Sequence, residues 1–364
     1  MHERLMQRCL ELAIQAHGRT APNPMVGALV VDDEGIVLAE GYHQRRGEPH
    51  AEPNALNLLG EKARGQTMYV SLEPCSHFGK TPPCADAVIA SGIKKVVAGM
   101  VDPNPKVAGQ GLEKLRAAGI EVVVGVLETE CRWLNRGFIK RVTRGLPWVH
   151  LKMAVTLDGR IADRQGASRW ITGGLARQYV HELRNICDVV IVGGATVAAD
   201  DPQLTVRDVE GGRDPRRAVV SPKLGVPADR RIFKESGATI FTAAQNVTEE
   251  ARLQFGESTT LVGIADCEPD GIDLTAMLRH LAAKGANEVL CEGGGHLAAA
   301  LLQAGLVDEL HWFVAPRLLV DGQAIASLAG SAFRGIGDAL ALHKVEMDRL
   351  GEDMLIHGVL QPFN

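Results

Sequence analysis

The sequence predicts two α/β domains in tandem, and three observations carry that prediction. A chain of 364 residues is long for one core and suits two. Short apolar runs alternate with amphipathic ones along nearly the whole length, which is the pattern of strands joined by helical crossovers. That pattern stops at Gly145-Leu146-Pro147 and then restarts, so the boundary falls between residues 1–145 and 146–364.

Within the first half, Leu5 to Ala16 (LMQRCLELAIQA) space their apolar side chains as an amphipathic helix, and APNPMVGALVVDDEGIVLAEGYHQR reads as two strands around an Asp-Asp-Glu-Gly turn. A helix opens at His50 (HAEPNALNLLG) and a strand follows, ending at Glu73. Helix and strand then alternate through CADAVIASG, KKVVAGMV, QGLEKLRAAG and IEVVVGVL, and a single helix from Glu128 to Arg144 closes the half. The second half runs strand WVHLKMAVTL, irregular DGRIADRQGASRWIT, helix LARQYVHELRNIC, strand DVVIVGG and polar stretch ATVAADDPQLTVR. Strands RRAVVS, ATIFTA and TTLVGI come next, then helix LTAMLRHLAAKG, strand NEVLCEGGG, helix HLAAALLQAG and strand DELHWFVAP. Parallel sheets of this kind carry their ligands at strand-to-helix junctions.

Bulk properties exclude several classes. Hydrophobic residues make up 46% and charged residues 23%, a balance that supplies a core to both halves. The net charge is −5 and no Lys/Arg tract stands out, which argues against nucleic acid as a partner. No run of about 18 apolar residues is present, so nothing is expected to span a membrane. Seven scattered cysteines and a first segment without a long apolar core point to reduced thiols in the cytoplasm.

Chemistry concentrates between His50 and Cys84. His50, Cys75 and Cys84 supply one imidazole and two thiols, a donor set that suits Zn²⁺ with the fourth position left to water. Both cysteines follow a proline at or near an expected helix start, where the helix dipole favours the thiolate. Two thiolates neutralise the ion and weaken its pull on water, so a carboxylate base is needed, and Glu52 lies two residues from His50. The stretch resembles the His-x-Glu and Pro-Cys signature of zinc deaminases that act on cytosine and adenine. A structural zinc would instead need a fourth protein ligand, for which His77 is available.

Eight residues separate Cys75 from Cys84, a longer gap than the two usual in base and nucleoside deaminases. Together with PNPMVG at Pro22 to Gly27, GYH at Gly41 to His43, GEPHAE, LEPCSHFGKTPPC and DPNPKVAGQG at Asp102 to Gly111, this half resembles the deaminase domain of the bifunctional riboflavin-biosynthesis deaminase/reductase family. The resemblance implies a cytidine-deaminase-like three-layer domain followed by a dihydrofolate-reductase-like α/β domain. It implies a diaminohydroxy-pyrimidine substrate bearing ribose 5-phosphate, with Lys80 and His77 beside the Gly79 turn as phosphate candidates and Asn23 as a ring-recognition residue.

In the second half, CEGGGHLAAAL places three glycines between a strand and a helix, where backbone amides can approach a phosphate. VGGATVAADDP is a second glycine-rich junction, and neither is a GxGxxG fingerprint. The family resemblance extends over Lys152 to Arg207 and Glu292 to Ala300, covering nearly the entire chain. It implies NADPH held near Ala154, Trp170, Thr196, Asp200, Ser221 and the turn from Gly293 through Gly294, Gly295, His296, Leu297, Ala298 and Ala299 to Ala300. It also implies a substrate faced by Lys152, Ser168, Arg184, Leu204, Arg207 and Glu292, the two arginines suiting phosphate as forked donors. The family's usual serine in KxAxSLDG is Thr156 here, which keeps the hydroxyl.

The expected activity is therefore zinc-dependent deamination of the pyrimidine followed by NADPH-dependent reduction of the ribosyl chain to ribityl, in a homo-oligomer. Two rivals have distinct signatures. A nucleoside or tRNA deaminase fused to another oxidoreductase predicts a basic nucleic-acid surface, and a zinc-stabilised nucleotide-binding regulator predicts His₂Cys₂ coordination.

Overall fold

The computed structural model describes residues 1–77, 82–105, 107–234, 238–267, 271–330 and 335–361, with nothing stated for the Cys267 side chain. The chain folds as two compact units, Met1–Gly145 and Leu146–Asn364. Among the described residues, no helix is long and apolar enough to cross a membrane.

The first unit is built on a five-stranded sheet. Its elements in chain order are α1 (His2–Ala13), β1 (Gly27–Val31), β2 (Val37–Tyr42), α2 (Ala51–Leu59), β3 (Thr67–Val70), α3 (Cys84–Ser91), β4 (Lys95–Ala98), α4 (Gln110–Ala117), β5 (Glu121–Val124), α5 (Glu128–Leu134) and α6 (Arg136–Arg144). The strand order is β2-β1-β3-β4-β5, with β1 antiparallel to both neighbours and β3, β4 and β5 mutually parallel. Every residue of β1 and β3 is buried, as central strands covered on both faces require. The β1–β2 turn is closed by Asp32, whose carboxylate accepts from the Glu34 and Ile36 amides.

Helix α2 lies close against β2 because Gly41 has no side chain; a Cβ there would stand 2.5 Å from both the Ala51 carbonyl and the Ala55 amide. The position of α2 matters because its first turn carries the metal-site residues. Instead of the single helix expected from Glu128 to Arg144, α5 and α6 are separated at Asn135. The Asn135 carboxamide accepts from the Met25 amide at 2.8 Å and donates to the Met25 carbonyl at 2.9 Å, a long-range pairing that helical periodicity does not reveal. Cys84 opens α3, whereas Cys75 stands in an irregular segment after β3 rather than at a helix start.

The second unit carries a nine-stranded sheet. In chain order come β6 (Trp148–Thr156), β7 (Arg160–Ala162), α7 (Gly174–Ile186), β8 (Val189–Gly193), α8 (Gly194–Asp200), β9 (Arg216–Val220), α9 (Arg231–Lys234), β10 (Ala238–Ala243), α10 (Glu249–Phe255), β11 (Thr259–Ile264), β12 (Asp266–Cys267) and β13 (Gly271–Ile272). There follow α11 (Leu274–Ala283), β14 (Glu288–Glu292), α12 (Gly295–Gln303), β15 (Glu309–Ala315), β16 (Ile325–Ala326), β17 (His343–Leu350) and β18 (Asp353–Val359). The order is β11-β10-β9-β8-β14-β6-β15-β18-β17, parallel throughout except at the β15–β18–β17 edge. Among the described residues the unit holds three apolar clusters, two large ones around Val149, Ile191, Val289 and Leu301 and around Leu183, Val190, Ile240 and Leu290, and a small one of Ala176, Val180, Phe313 and Leu355.

Two differences from the sequence reading have physical causes. The stretch ATVAADDP is in part helical, as α8, because β8 delivers Gly193 into a helix start. The hairpin β17–β18 goes unpredicted because seven of the eight residues of β17 are exposed, so the short alternation of Val345 and Met347 with charged residues marks no buried face.

Candidate metal and nucleotide sites

His50 is the N-cap residue of α2, which places Glu52 in the first helical turn beneath it. Its Nδ1 lies 3.3 Å from the Cys84 Sγ and 3.7 Å from the Cys75 Sγ, and the Cys84 amide donates to the Cys75 sulfur at 3.2 Å. A tetrahedral ion with Zn–N and Zn–S bonds of standard length has ligand-to-ligand edges of roughly 3.6 Å, so the three donors fit zinc and leave a fourth position. His77 is exposed and lies outside the converging group, whose members are His50, Cys75 and Cys84.

The electrostatics of the cluster follow from its burial and from the closeness of the two sulfurs. Hydrogen bonding from the Cys84 thiol and from His50, opposed by burial, pulls the Cys75 thiol down to about 4. Cys84 is pushed the other way, as the donor to that thiolate and by burial. His50 is raised by its bond to Cys75. Glu52, only 3% exposed, is pushed up to about 7 by burial and by the negative charge of Cys75.

Two neighbours escaped the sequence reading. His43, the last residue of the GYH motif, is buried with Nε2 at 3.1 Å from the Asn23 carboxamide nitrogen and Nδ1 at 3.1 Å from the Pro49 carbonyl, immediately before His50. It therefore ties Asn23 to the metal-bearing helix start. Glu73, expected to end its strand, is instead buried in the irregular segment after β3, three residues beyond Val70, and accepts backbone N–H bonds from Asp102, Gly109 and Gly111 at 2.8 to 3.0 Å, with Leu112 at 3.4 Å. A buried carboxylate beside a proline-glycine loop was its only signal. Lys80 and Gly79 lie outside the described residues.

In the second unit the candidate residues gather at the ends of β6, β8, β9 and β14. Lys152 and Glu292 are register partners on β6 and β14. Arg184 of α7 grips Glu292 with a two-pronged bridge, Nε to Oε1 at 2.6 Å and Nη2 to Oε2 at 2.8 Å, and its Nη1 donates to the Thr205 carbonyl at 3.0 Å. Burial alone would raise the Glu292 carboxyl, but Arg184, with Lys152 beyond it, holds it below the usual range. Burial lowers Lys152, with the Glu292 charge opposing. Arg184 thus orients Glu292 rather than standing open as a forked phosphate donor. Arg207 donates to the Thr205 hydroxyl at 2.9 Å and through its amide to His181.

Glycine geometry shapes the junction after β14. Gly293 and Gly294 both have φ of +92°, and a Cβ on Gly294 would stand 2.9 Å from the Thr196 hydroxyl. A Cβ on Gly194 would likewise meet Ser221 Oγ at 2.9 Å, so Thr196, Ser221 and the two turns share one neighbourhood. The first turn of α12 leaves the amides of Gly295, His296 and Leu297 without helical acceptors, as the start of an α-helix does. Ala298 already donates to the Gly294 carbonyl, and with Ala299 it is buried; Ala300 continues the helix.

Ser168 donates to Asp200 at 3.1 Å, and Trp170 is exposed with the Arg177 guanidinium 4.6 Å from its ring centre. Ala154 packs partly buried beside Phe313 and Leu355. Leu204, by contrast, is only 4% exposed and packs in the core cluster, its side chain turned away from solvent. Thr156 earns its hydroxyl in a turn: it donates to Asp158 at 2.6 Å and accepts from the Arg160 amide at 3.0 Å.

Fold and sites define a two-domain enzyme in which a zinc-binding deaminase domain precedes a nicotinamide-dependent reductase domain. Residues 1–100 match the cytidine and deoxycytidylate deaminase zinc-binding region, and residues 147–356 match the RibD C-terminal domain. Riboflavin biosynthesis protein RibD of Escherichia coli is 43% identical over 98% of each chain, and that of Aquifex aeolicus 41% over 96% of each. Among solved structures, Acinetobacter baumannii RibD (form 1) superposes with a TM-score of 0.89 at 37% identity over 98% of both chains. A Thermotoga maritima protein described as a diaminohydroxyphosphoribosylaminopyrimidine deaminase/5-amino-6-(5-phosphoribosylamino)uracil reductase gives 0.86 at 40%, over 98% of this chain and 97% of that one. The chain belongs to the RibD family of bifunctional deaminase/reductases of riboflavin biosynthesis. Zinc serves the first activity and NADPH the second.

Proposed function

We propose that residues 1–145 deaminate 2,5-diamino-6-ribosylamino-4(3H)-pyrimidinone 5′-phosphate and that residues 146–364 then reduce its ribosyl chain to ribityl. The observation that carries the first half is the convergence of His50, Cys75 and Cys84 above the buried carboxyl of Glu52. Bound zinc supplies a Lewis acid that makes water nucleophilic at neutral pH. Glu52 takes a proton from the attacking water at a carboxylate oxygen and returns it to the leaving amino group. Buried beside the donor cluster, the Glu52 carboxyl is placed to hold the proton between the two transfers. Asn23, held by His43, orients the ring, and Lys80 with the long loop holds the phosphate.

In the second domain, bound NADPH supplies the hydride. The free amides at the start of α12 and the hydroxyls of Thr196 and Ser221 position the cofactor, with Ala154, Trp170 and Asp200 along its length. Lys152 and Glu292 polarise the ribose carbon, and Arg184 fixes Glu292 in place. Ser168 and Arg207 complete the substrate side. The enzyme works in the cytoplasm as a homo-oligomer on a small molecule, without nucleic acid or membrane.

The test is a single incubation of purified zinc-loaded protein with the diaminopyrimidine phosphate and NADPH. Ammonia should appear before NADPH is consumed. NADPH loss on substrate that has not been deaminated overturns the order, and ammonia release from cytidine or tRNA adenosine in place of this substrate overturns the assignment.

A further inference from the structure

A second cluster of metal-type donors lies in the sheet of the C-terminal unit, separate from the His50, Cys75 and Cys84 site and next to Lys152, whose register partner is His311. His150 on β6 stands in register with Glu309 on β15, and His311, two residues further along β15, projects from the same face. His150 Nδ1 is 3.2 Å from His311 Nε2 and 3.6 Å from Glu309 Oε2, and His311 Nε2 is 3.4 Å from Glu309 Oε1. All three residues are buried, the imidazoles at 1% and 3% exposure.

The three separations, which reach one oxygen of Glu309 from His150 and the other from His311, lie near the roughly 3.4 Å spacing of donors around an ion with bonds of about 2.1 Å. Hydrogen bonding accounts for them less well. The imidazole pair is at hydrogen-bond distance, but both carboxylate separations are longer than the usual N–H···O range. The shell around the trio is also the one that metal-binding imidazoles use. The other nitrogen of His150, Nε2, is buried without a hydrogen-bond partner and faces Glu288 Oε2 at 3.7 Å, in the place of the outer carboxylate that orients a ligating histidine. Trp148 Nε1 donates to Glu309 Oε2 at 3.0 Å, fixing the ligand carboxylate. The two carboxylates match the charge of a divalent ion, and three nitrogen and oxygen donors suit zinc.

We propose that His150, Glu309 and His311 form a second metal site that binds one zinc ion between β6 and β15, with the fourth position left to water, two residues along the strand from Lys152. It is independent of the His50, Cys75 and Cys84 site, and its failure leaves the deaminase reading untouched.

The full-length protein, equilibrated with Zn²⁺ and dialysed, should retain two zinc ions per chain by elemental analysis. A Cys75→Ala/Cys84→Ala double variant should retain one, and its X-ray absorption spectrum should show only nitrogen and oxygen neighbours. His311→Gln and His311→Leu should each lower the wild-type content from two to one while ammonia release continues. Zinc should also raise the melting temperature of the double cysteine variant, and this rise should vanish when His311→Gln is added, a readout that stands even if the leucine variant folds poorly. One zinc per wild-type chain and none in the double variant overturns the proposal, as does a content of two that His311→Gln leaves unchanged.

Discussion

The two candidate sites are assembled in opposite ways. The zinc site draws all three donors and Glu52 from one stretch, His50 to Cys84, positioned by one helix start, the segment after β3 and the next helix start. The reductase site draws on at least five separated segments, around Lys152, Ser168, Arg184, Thr196 to Arg207 and Glu292 to Leu297, meeting at the ends of four strands. In the first, local sequence is enough to place the chemistry. In the second, a positioning contact such as Arg184 to Glu292 spans 108 residues, so the fold supplies the site.

That contrast predicts separable losses. The largest effect is expected from Glu52→Gln: zinc content unchanged, ammonia release down by about 10³-fold, and NADPH oxidation on the already deaminated substrate intact. If both activities fell together, the independence of the sites would be lost. Arg184→Met should come next. It leaves the Glu292 carboxylate buried without its guanidinium, at a cost of about 3 to 5 kcal/mol to the C-terminal unit, read by urea unfolding with the deaminase activity as internal control.

A similar magnitude with opposite sign is expected from Glu52→Gln in the zinc-free protein. The Glu52 carboxyl is raised in the folded state, so its burial costs nothing below its ordinary value near 4.5 and reaches its full cost above about 7. Glutamine should therefore stabilise the chelator-treated protein by about 3 kcal/mol above pH 7 and by nothing near pH 4. Equal melting curves for the two proteins across this range would contradict the buried-carboxyl argument. The smallest effects concern the family's serine position: Thr156→Ser should change stability by less than about 0.5 kcal/mol, while Thr156→Val, losing both turn bonds, should cost about 1 to 2 kcal/mol in thermal unfolding.

How far the sequence could be read follows from the same contrast. Strands with continuous apolar burial, such as β1 and β14, and the helices between them were legible because periodicity reports burial directly. The break at Asn135 was not, since its cause is a carboxamide pairing with Met25, 110 residues away. Nor was β17, whose short Val345 and Met347 alternation is exposed and signals no core face. In the sites, donor types and spacing exposed His50, Glu52, Cys75 and Cys84. The reductase residues needed family resemblance, and even that did not reveal that Arg184 is engaged by Glu292 or that Leu204 packs inward.

The Glu73 carboxylate has a consequence for motion. Three well-formed amide bonds from a segment with no strand of its own end on two oxygen atoms of one side chain. The amides of Asp102, Gly109 and Gly111 should exchange with deuterium slowly and at a shared rate, because releasing one acceptor exposes all of them in a single opening event. Glu73 is followed by Pro74 and Cys75. An opening there would loosen the chain two residues from Cys75, so slow exchange at these amides is the expected mark of a fixed middle ligand.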